Sequence, residues 1–205
     1  MSASSGVVYV LDDDPEMVKA LARLLRTKRF DVRGFTSVRA FLESCRPENI
    51  ACLVLDVAMP ELDGLELQRH LTHQGILMPI IFVTGHGDIP MSVRAIKAGA
   101  TDFLIKPVDS AVLVQAVRAA LQVAEIRHRE AAETAALAAR LASLTPRQRE
   151  VMKHVVAGQL NKQIAFDLGT GEQNIKLHRA QVMKKMGVDS LADLVRVAER
   201  LGIGN

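Results

Sequence analysis

The chain has 205 residues, room for one large domain or two smaller ones, and at 49% hydrophobic it can bury real cores. Its formal net charge of +3 is uneven: Lys and Arg number 13 against 15 Asp and Glu over residues 1–125, but 13 against 8 over residues 126–205, so the second half suits a polyanionic partner. The absence of any apolar run of about 18 residues excludes a membrane-spanning helix; Met1-Ser-Ala-Ser-Ser-Gly6 does not read as a secretory signal, and Cys45 and Cys52 are too few for a disulfide framework, so reduced thiols and a cytoplasmic location are expected.

Val7-Val8-Tyr9-Val10-Leu11 is a continuous apolar run of strand length. Such runs read as strands buried on both faces, hence as part of a parallel sheet covered by helices. The run leads into Asp12-Asp13-Asp14, and Asp14 is placed to cap a helix opening at Pro15, because proline suits the first helical turn. A second run, Cys52-Leu-Val-Leu55, ends at Asp56. A third, Pro79-Ile-Ile-Phe-Val83, ends at Thr84, and a fourth, Asp102-Phe-Leu-Ile105, ends at Lys106-Pro107. Chemistry in parallel sheets sits at the carboxyl ends of the strands, so these groups should converge on one crevice. Two carboxylates about 4 Å apart repel by roughly 4 kcal/mol at an effective dielectric near 20. A hard cation with oxygen ligands removes that cost, and Mg²⁺ is the usual occupant. A carboxylate nucleophile with a metal and a lysine to neutralise phosphoryl oxygens fits phosphoryl transfer to a carboxylate.

No Gly or Pro interrupts residues 108–145. Asp109-Ser110 can cap a helix with its body at residues 111–121, and the Ala- and Glu-rich segment through Leu141 has high helix propensity. Apolar spacing is irregular after Ile126, which argues for a solvated spacer rather than a coiled coil. The expected organisation is a first domain at 1–125, a helical linker at 126–143 and a second domain at 144–205. In the last, Thr145-Pro146 starts a helix that Gly158 stops. Residues 161–168 form a short helix, Gly169-Thr170-Gly171 breaks it, and Glu172 to Met186 forms a third helix, with Ile175, Val182, Met183 and Met186 facing the core. A fourth runs from Ser190 to Arg200. Two short helices joined by a Gly-containing turn make a helix-turn-helix.

Taken together and in order, Asp12, Asp13, Asp56 in Leu-Asp-Val-Ala-Met-Pro, Thr84, Phe103 and Lys106 in Lys-Pro resemble the bacterial response-regulator receiver domain over about residues 7–123. Val83-Thr-Gly-His-Gly-Asp-Ile-Pro-Met91 is similar to the FixJ-type regulators. The resemblance implies a CheY-like, doubly wound five-stranded parallel sheet of order 2-1-3-4-5, with Asp56 as phospho-acceptor for a sensor histidine kinase. It further implies Mg²⁺ held by Asp13, Asp56, the Ala58 carbonyl and water-linked Asp12, a switch made of Thr84, Phe103 and Lys106, and a cis Lys106-Pro107 bond. Phosphorylation is then expected to pair two copies through the face of the fourth helix, fifth strand and fifth helix, at Val93, Lys97 and Asp102. Ala58 and His86 would overhang the phosphoryl group; FixJ carries an arginine where this chain has Ala58.

Leu144-Thr-Pro-Arg-Gln-Arg-Glu150, Gly158, Asn161-Lys162, Ile164-Ala165, Leu168, Lys176, His178 and Lys184-Lys185-Met186 resemble the LuxR/NarL-type DNA-binding domain over about residues 144–198. Gly171 stands where that family usually places Ser or Thr at the recognition-helix cap, and Glu172-Gln173-Asn174 differ from its more usual residues, so the target sequence cannot be copied from a relative. The N-terminal part of the second helix of such a motif meets base edges. Gln173, Asn174, Lys176, Leu177 and Ala180 are spaced to face outward there, while Lys162, Arg179 and Lys184 suit phosphates, which position without specifying sequence. The chain is thus expected to be a transcription factor rather than an enzyme, with promoter DNA and RNA polymerase among its partners. A phosphohydrolase of the haloacid-dehalogenase type is the rival reading, but Glu16 stands where its Asp-x-Asp motif wants Thr or Val.

Overall fold

The structure is a computed structural model that describes residues 6–46, 49–60, 62–85 and 89–203. His86 therefore lies outside the described residues. Tertiary contacts divide the chain into two compact units, one up to His128 and one from Arg129.

In the first unit, strands β1 (Val7–Leu11), β2 (Asp31–Phe35), β3 (Ala51–Asp56), β4 (Ile80–Thr84) and β5 (Asp102–Ile105) alternate with helices α1 (Pro15–Thr27), α2 (Val38–Ser44), α3 (Gly64–His73), α4 (Ile89–Lys97) and α5 (Ser110–Ala142). All strand pairs are parallel and the sheet order is β2-β1-β3-β4-β5, as the resemblance implied. β1, β3 and β4 are buried along their whole length because helices cover both faces. Alternate residues divide between two cores. Tyr9, Leu11, Leu53, Leu55 and Phe82 meet Phe41, Leu67, Leu71 and Ala95 of α2, α3 and α4 on one side. Val8, Val10, Val54 and Ile81 meet Leu21 and Leu25 of α1 and Leu113, Val117 and Leu121 of α5 on the other. Burial of each such Leu contributes about 2 kcal/mol relative to exposure. Asp14 caps α1 by accepting from Glu16 N at 2.9 Å. Asp109 caps α5, accepting from Ala111 N at 2.8 Å and Val112 N at 3.0 Å.

α5 is one helix of 33 residues. Its first half lies on the sheet as far as Ala124, and residues 125–136 are exposed.

The second unit packs the end of α5 with α6 (Pro146–Val156), α7 (Asn161–Asp167), α8 (Glu172–Met186) and α9 (Leu191–Arg200). Its core is Leu144, Val151, Met152, Val155, Ile164, Ile175, Val182, Met186, Leu194 and Ala198, with Leu141 packed against it. Thr145 and Gln148 form a reciprocal capping box at the start of α6, with bonds of 3.2 and 3.0 Å.

Burial pushes the Cys52 thiol up to about 12, so it packs as a small apolar group. Tyr9 is completely buried and its hydroxyl has no hydrogen-bond partner. A hydroxyl desolvated without a partner costs free energy that phenylalanine avoids. Tyr9→Phe is therefore expected to raise stability in urea unfolding by about 1 kcal/mol with an unchanged m-value.

Candidate functional site

The carboxyl ends of β1, β3, β4 and β5 bring Asp12, Asp56, Thr84 and Lys106 to one edge of the sheet, because parallel strands of matched register end together. Asp12 and Asp56 are only 2% and 7% exposed, and Thr84 is buried, whereas Asp13 faces solvent. Lys106 Nζ lies 2.7 Å from Asp12 Oδ2 and 3.5 Å from Asp56 Oδ1. Asp12 also accepts from Asp14 N at 3.0 Å, so its two oxygens are both engaged. Asp56 Oδ1 has no hydrogen-bond partner despite its burial. The lysine thus serves Asp12 first, and Asp56 Oδ1 keeps only the longer ion pair.

Burial pushes the Asp56 carboxyl above its ordinary range, with the Asp12 charge acting in the same direction; Lys106 and the Val57 N–H pull against them. Burial alone would lower the Lys106 ammonium, but its bond to Asp12 and the charges of Asp56 and Asp12 outweigh that and raise it. Oxygens of Asp12, Asp13 and Asp56 lie within 4.8 Å of one another. An all-oxygen donor set of three carboxylates, one oxygen unpartnered, fits a hard divalent cation.

Phe103 packs its ring against Phe82 at 6.3 Å between centroids and is half-buried. Ala58 is exposed on the loop after β3. The Lys106-Pro107 bond is cis. Lys106 N donates to the Thr84 carbonyl at 2.8 Å, which ties the ends of β4 and β5. Val93 is 44% exposed on α4 and Lys97 is exposed beside it; Asp102 is half-buried and accepts from Phe103 N at 2.8 Å. Ile96, Ile105 and Val112 are exposed as well.

One residue that sequence reading passed over is Gly64, the first of α3. A Cβ on it would stand 2.6 Å from the Asp56 carbonyl oxygen and 3.1 Å from Val57 Cα. Its N–H bonds the Val57 carbonyl at 2.9 Å, so the missing side chain lets α3 start directly against the strand end that carries Asp56. Only the close approach reveals this role.

In the second unit, Gln173, Asn174, Lys176, Leu177 and Ala180 are all exposed on α8, and Leu177 is 56% exposed. Lys176 pairs with Glu172 at 3.6 Å, and Asn174 Nδ2 donates to Thr170 Oγ1 at 3.2 Å. Lys162 and Lys184 are exposed, while Arg179 is half-buried and donates to Asn161 Oδ1 at 3.3 Å. His178 is half-buried with Nδ1 lacking a partner. Gly171 precedes α8 without any side-chain cap bond. His70 and His73 are exposed.

A five-stranded doubly wound sheet with an acid pocket and lysine at its carboxyl edge defines a receiver, and the helix-turn-helix makes the second unit a DNA-binding module. Residues 8–118 match the response regulator receiver domain, and residues 142–198 match the bacterial regulatory proteins of the luxR family. The chain is 46% identical over 98% of its length to the response regulator protein TodT of Pseudomonas putida, covering 88% of it. It is 42% identical to the transcriptional regulatory protein FixJ of Bradyrhizobium diazoefficiens, with 98% of each chain covered. The solved structure of the response regulator StyR superposes with a TM-score of 0.84 at 43% identity, covering 95% of this chain and 98% of that one. The chain belongs to the response regulators that join a receiver domain to a LuxR-type DNA-binding domain. It is a phosphorylation-controlled, DNA-binding transcriptional regulator, a family that is not a typical class of enzyme. No helix among the described residues is long and apolar enough to cross a membrane.

The raised Asp56 carboxyl has a consequence for stability. A carboxyl that is harder to ionise in the folded than in the unfolded chain destabilises the fold above its unfolded value, and the penalty fades as pH falls. Without added metal, Asp56→Asn is expected to raise the melting temperature of the first unit at pH 7. That gain should shrink steadily as pH is lowered toward the ordinary carboxylate range in a thermal-melt series.

Proposed function

We propose that Asp56 is the phospho-acceptor, taking a phosphoryl group from a sensor histidine kinase. The observation that carries this reading is the buried, unpartnered Asp56 Oδ1 beside a lysine already bound to Asp12. A nucleophile needs a lone pair open to attack, and this buried oxygen makes no hydrogen bond that would occupy it. Asp12, Asp13, Asp56 and the Ala58 carbonyl would hold Mg²⁺, which supplies charge neutralisation for the phosphoryl oxygens. Lys106 is within reach of the same oxygens once its contact to Asp12 loosens.

Thr84 and Phe103 are the switch elements that respond to the new phosphoryl charge, biasing two pre-existing arrangements of the β4–α4 and β5 edge. The face of α4, β5 and α5 then pairs with a second copy through Val93, Lys97 and Asp102; the exposure of Val93, Ile96, Ile105 and Val112 supports an apolar centre there. Two LuxR-type units bind a promoter with two half-sites, and RNA polymerase is the onward partner, in the cytoplasm. Gln173, Asn174, Lys176, Leu177 and Ala180 face base edges; Lys162, Arg179 and Lys184 face phosphates.

Incubation with acetyl phosphate and Mg²⁺ should add one phosphoryl group by intact mass, and Asp56→Asn should abolish it; continued labelling of the variant at the normal rate removes the assignment. Sedimentation of the phosphorylated chain should show a dimer that Lys97→Glu reduces to a monomer.

With about three phosphates neutralised per subunit, log K against log salt for the dimer should fall with a slope of roughly −5. Lys176→Ala should relax preference at one base position, whereas Lys162→Ala should weaken all duplexes alike. An affinity independent of salt contradicts the nucleic-acid interface.

A further inference from the structure

The end of α5 is tied to the end of α8 by side chains that the proposed DNA contacts do not use. A helix terminus leaves its last carbonyls without intrahelical donors. At the end of α8, Gly187 adopts a left-handed φ of +66°. Its N–H reaches the Lys184 carbonyl at 3.2 Å, and Val188 N reaches the Met183 carbonyl at 3.1 Å. The Met186 carbonyl accepts instead from Arg140 Nη1 at 3.0 Å. The guanidinium lies directly against Gly187: a Cβ there would stand 2.6 Å from Nη1 and 3.1 Å from Cζ. The glycine therefore serves both the left-handed turn and the seat of the arginine. Beside it, Lys185 Nζ donates to the Ser143 carbonyl at 2.8 Å and to Gln148 Oε1 at 2.9 Å. Gln148, 5% exposed, passes the connection back to α8 by donating to Gln181 Oε1 at 2.8 Å. Cations at this end also complement the helix dipole.

We propose that Arg140 is a positioning residue of the DNA interface: seated over Gly187, it fixes the C-terminal end of α8 and so the angle at which Gln173, Asn174 and Lys176 meet base edges. The inference rests on the assignment of α8 as the DNA-reading helix. A helix of 15 residues is about 22 Å long, so a pivot of about 5° at one end moves the other by about 2 Å. The N-terminal end of α8 has no side-chain cap bond and its first residues are exposed, so the angle is held by the buried Ile175, Val182 and Met186, by the side-chain bonds of Asn174 to Thr170 and of Arg179 to Asn161, and by the C-terminal ties. Base-edge hydrogen bonds fail over a few tenths of an ångström, because their distance range is narrow. Phosphate contacts from flexible lysines follow the backbone and carry no sequence information. Loss of the clamp therefore separates specific from non-specific binding. The same ties distinguish two neighbouring lysines: Lys185 is engaged within the unit, whereas Lys184 is exposed without such a bond.

The test uses the full chain phosphorylated with acetyl phosphate and Mg²⁺, and a duplex that the wild type selects from a random pool. Arg140→Met keeps the side-chain stem and removes the fork. Anisotropy titrations should show the ratio of affinities for the selected and an unrelated duplex falling about tenfold, with the unrelated duplex bound within about twofold of wild type and the salt slope unchanged. Arg140→Lys, which keeps the charge without the planar fork, should lower the ratio about threefold. A ratio within about twofold of wild type in an Arg140→Met protein with a native melting transition overturns the proposal. So does an equal loss on both duplexes, which would mean only that the unit has loosened. If the methionine variant has no native transition, the lysine variant is judged by the same two criteria. Failure of the wild type to select any duplex would overturn the DNA-reading assignment of α8 instead.

Discussion

The ammonium of Lys106 between the carboxylates of Asp12 and Asp56 is the interaction on which the first unit's design turns. Two acids buried this deeply at one sheet edge repel, and one lysine cannot give both its best geometry. It bonds Asp12 at 2.7 Å and reaches Asp56 only at 3.5 Å. Burial, with the Asp12 charge beside it, raises the Asp56 carboxyl; the more distant lysine offsets this only in part, so the charged acid destabilises the fold locally. Function and strain here share one cause, as is common at sites kept ready for chemistry.

The surrounding fold exists to hold that edge. Parallel pairing ends β1, β3, β4 and β5 at the same level, the two cores fix the strands from both faces, and Gly64 admits α3 against the carbonyl of Asp56. Lys106 N on the Thr84 carbonyl joins the ends of β4 and β5 through the backbone. The charge at Asp56 therefore sits beside two strand ends that are bonded to each other.

The second unit shows a similar division between holding and reading. Apolar residues of α8 at Ile175, Val182 and Met186 face the core, and the polar residues between them face outward. Its cations are not equivalent. Lys176 is paired with Glu172, Arg179 with Asn161, and Lys185 and Arg140 with carbonyls of their own unit, while Lys162 and Lys184 are exposed without an ion pair among the described residues. Net charge alone would have counted all of them as candidates for DNA.

Sequence by itself determined the strands β1, β3 and β4, the acids and hydroxyl at their ends, the caps at Asp14 and Thr145, and the bounds of α8, because each rests on a local pattern: a continuous apolar run, a capping residue, a glycine stop. β5 was legible from its run, although its edge position leaves it only half-buried. β2 was not legible as a run: Val32 is its one buried residue, and Asp31, Arg33 and Gly34 break any apolar pattern. It entered only with the family resemblance. What tertiary structure alone decided is which groups share a partner. That Lys106 favours Asp12 over Asp56, that Gly64 must lack a side chain, and that Arg140 closes the end of α8 over Gly187 all depend on distances between residues far apart in the chain. No periodicity or propensity encodes such distances; they are fixed only when both cores have packed.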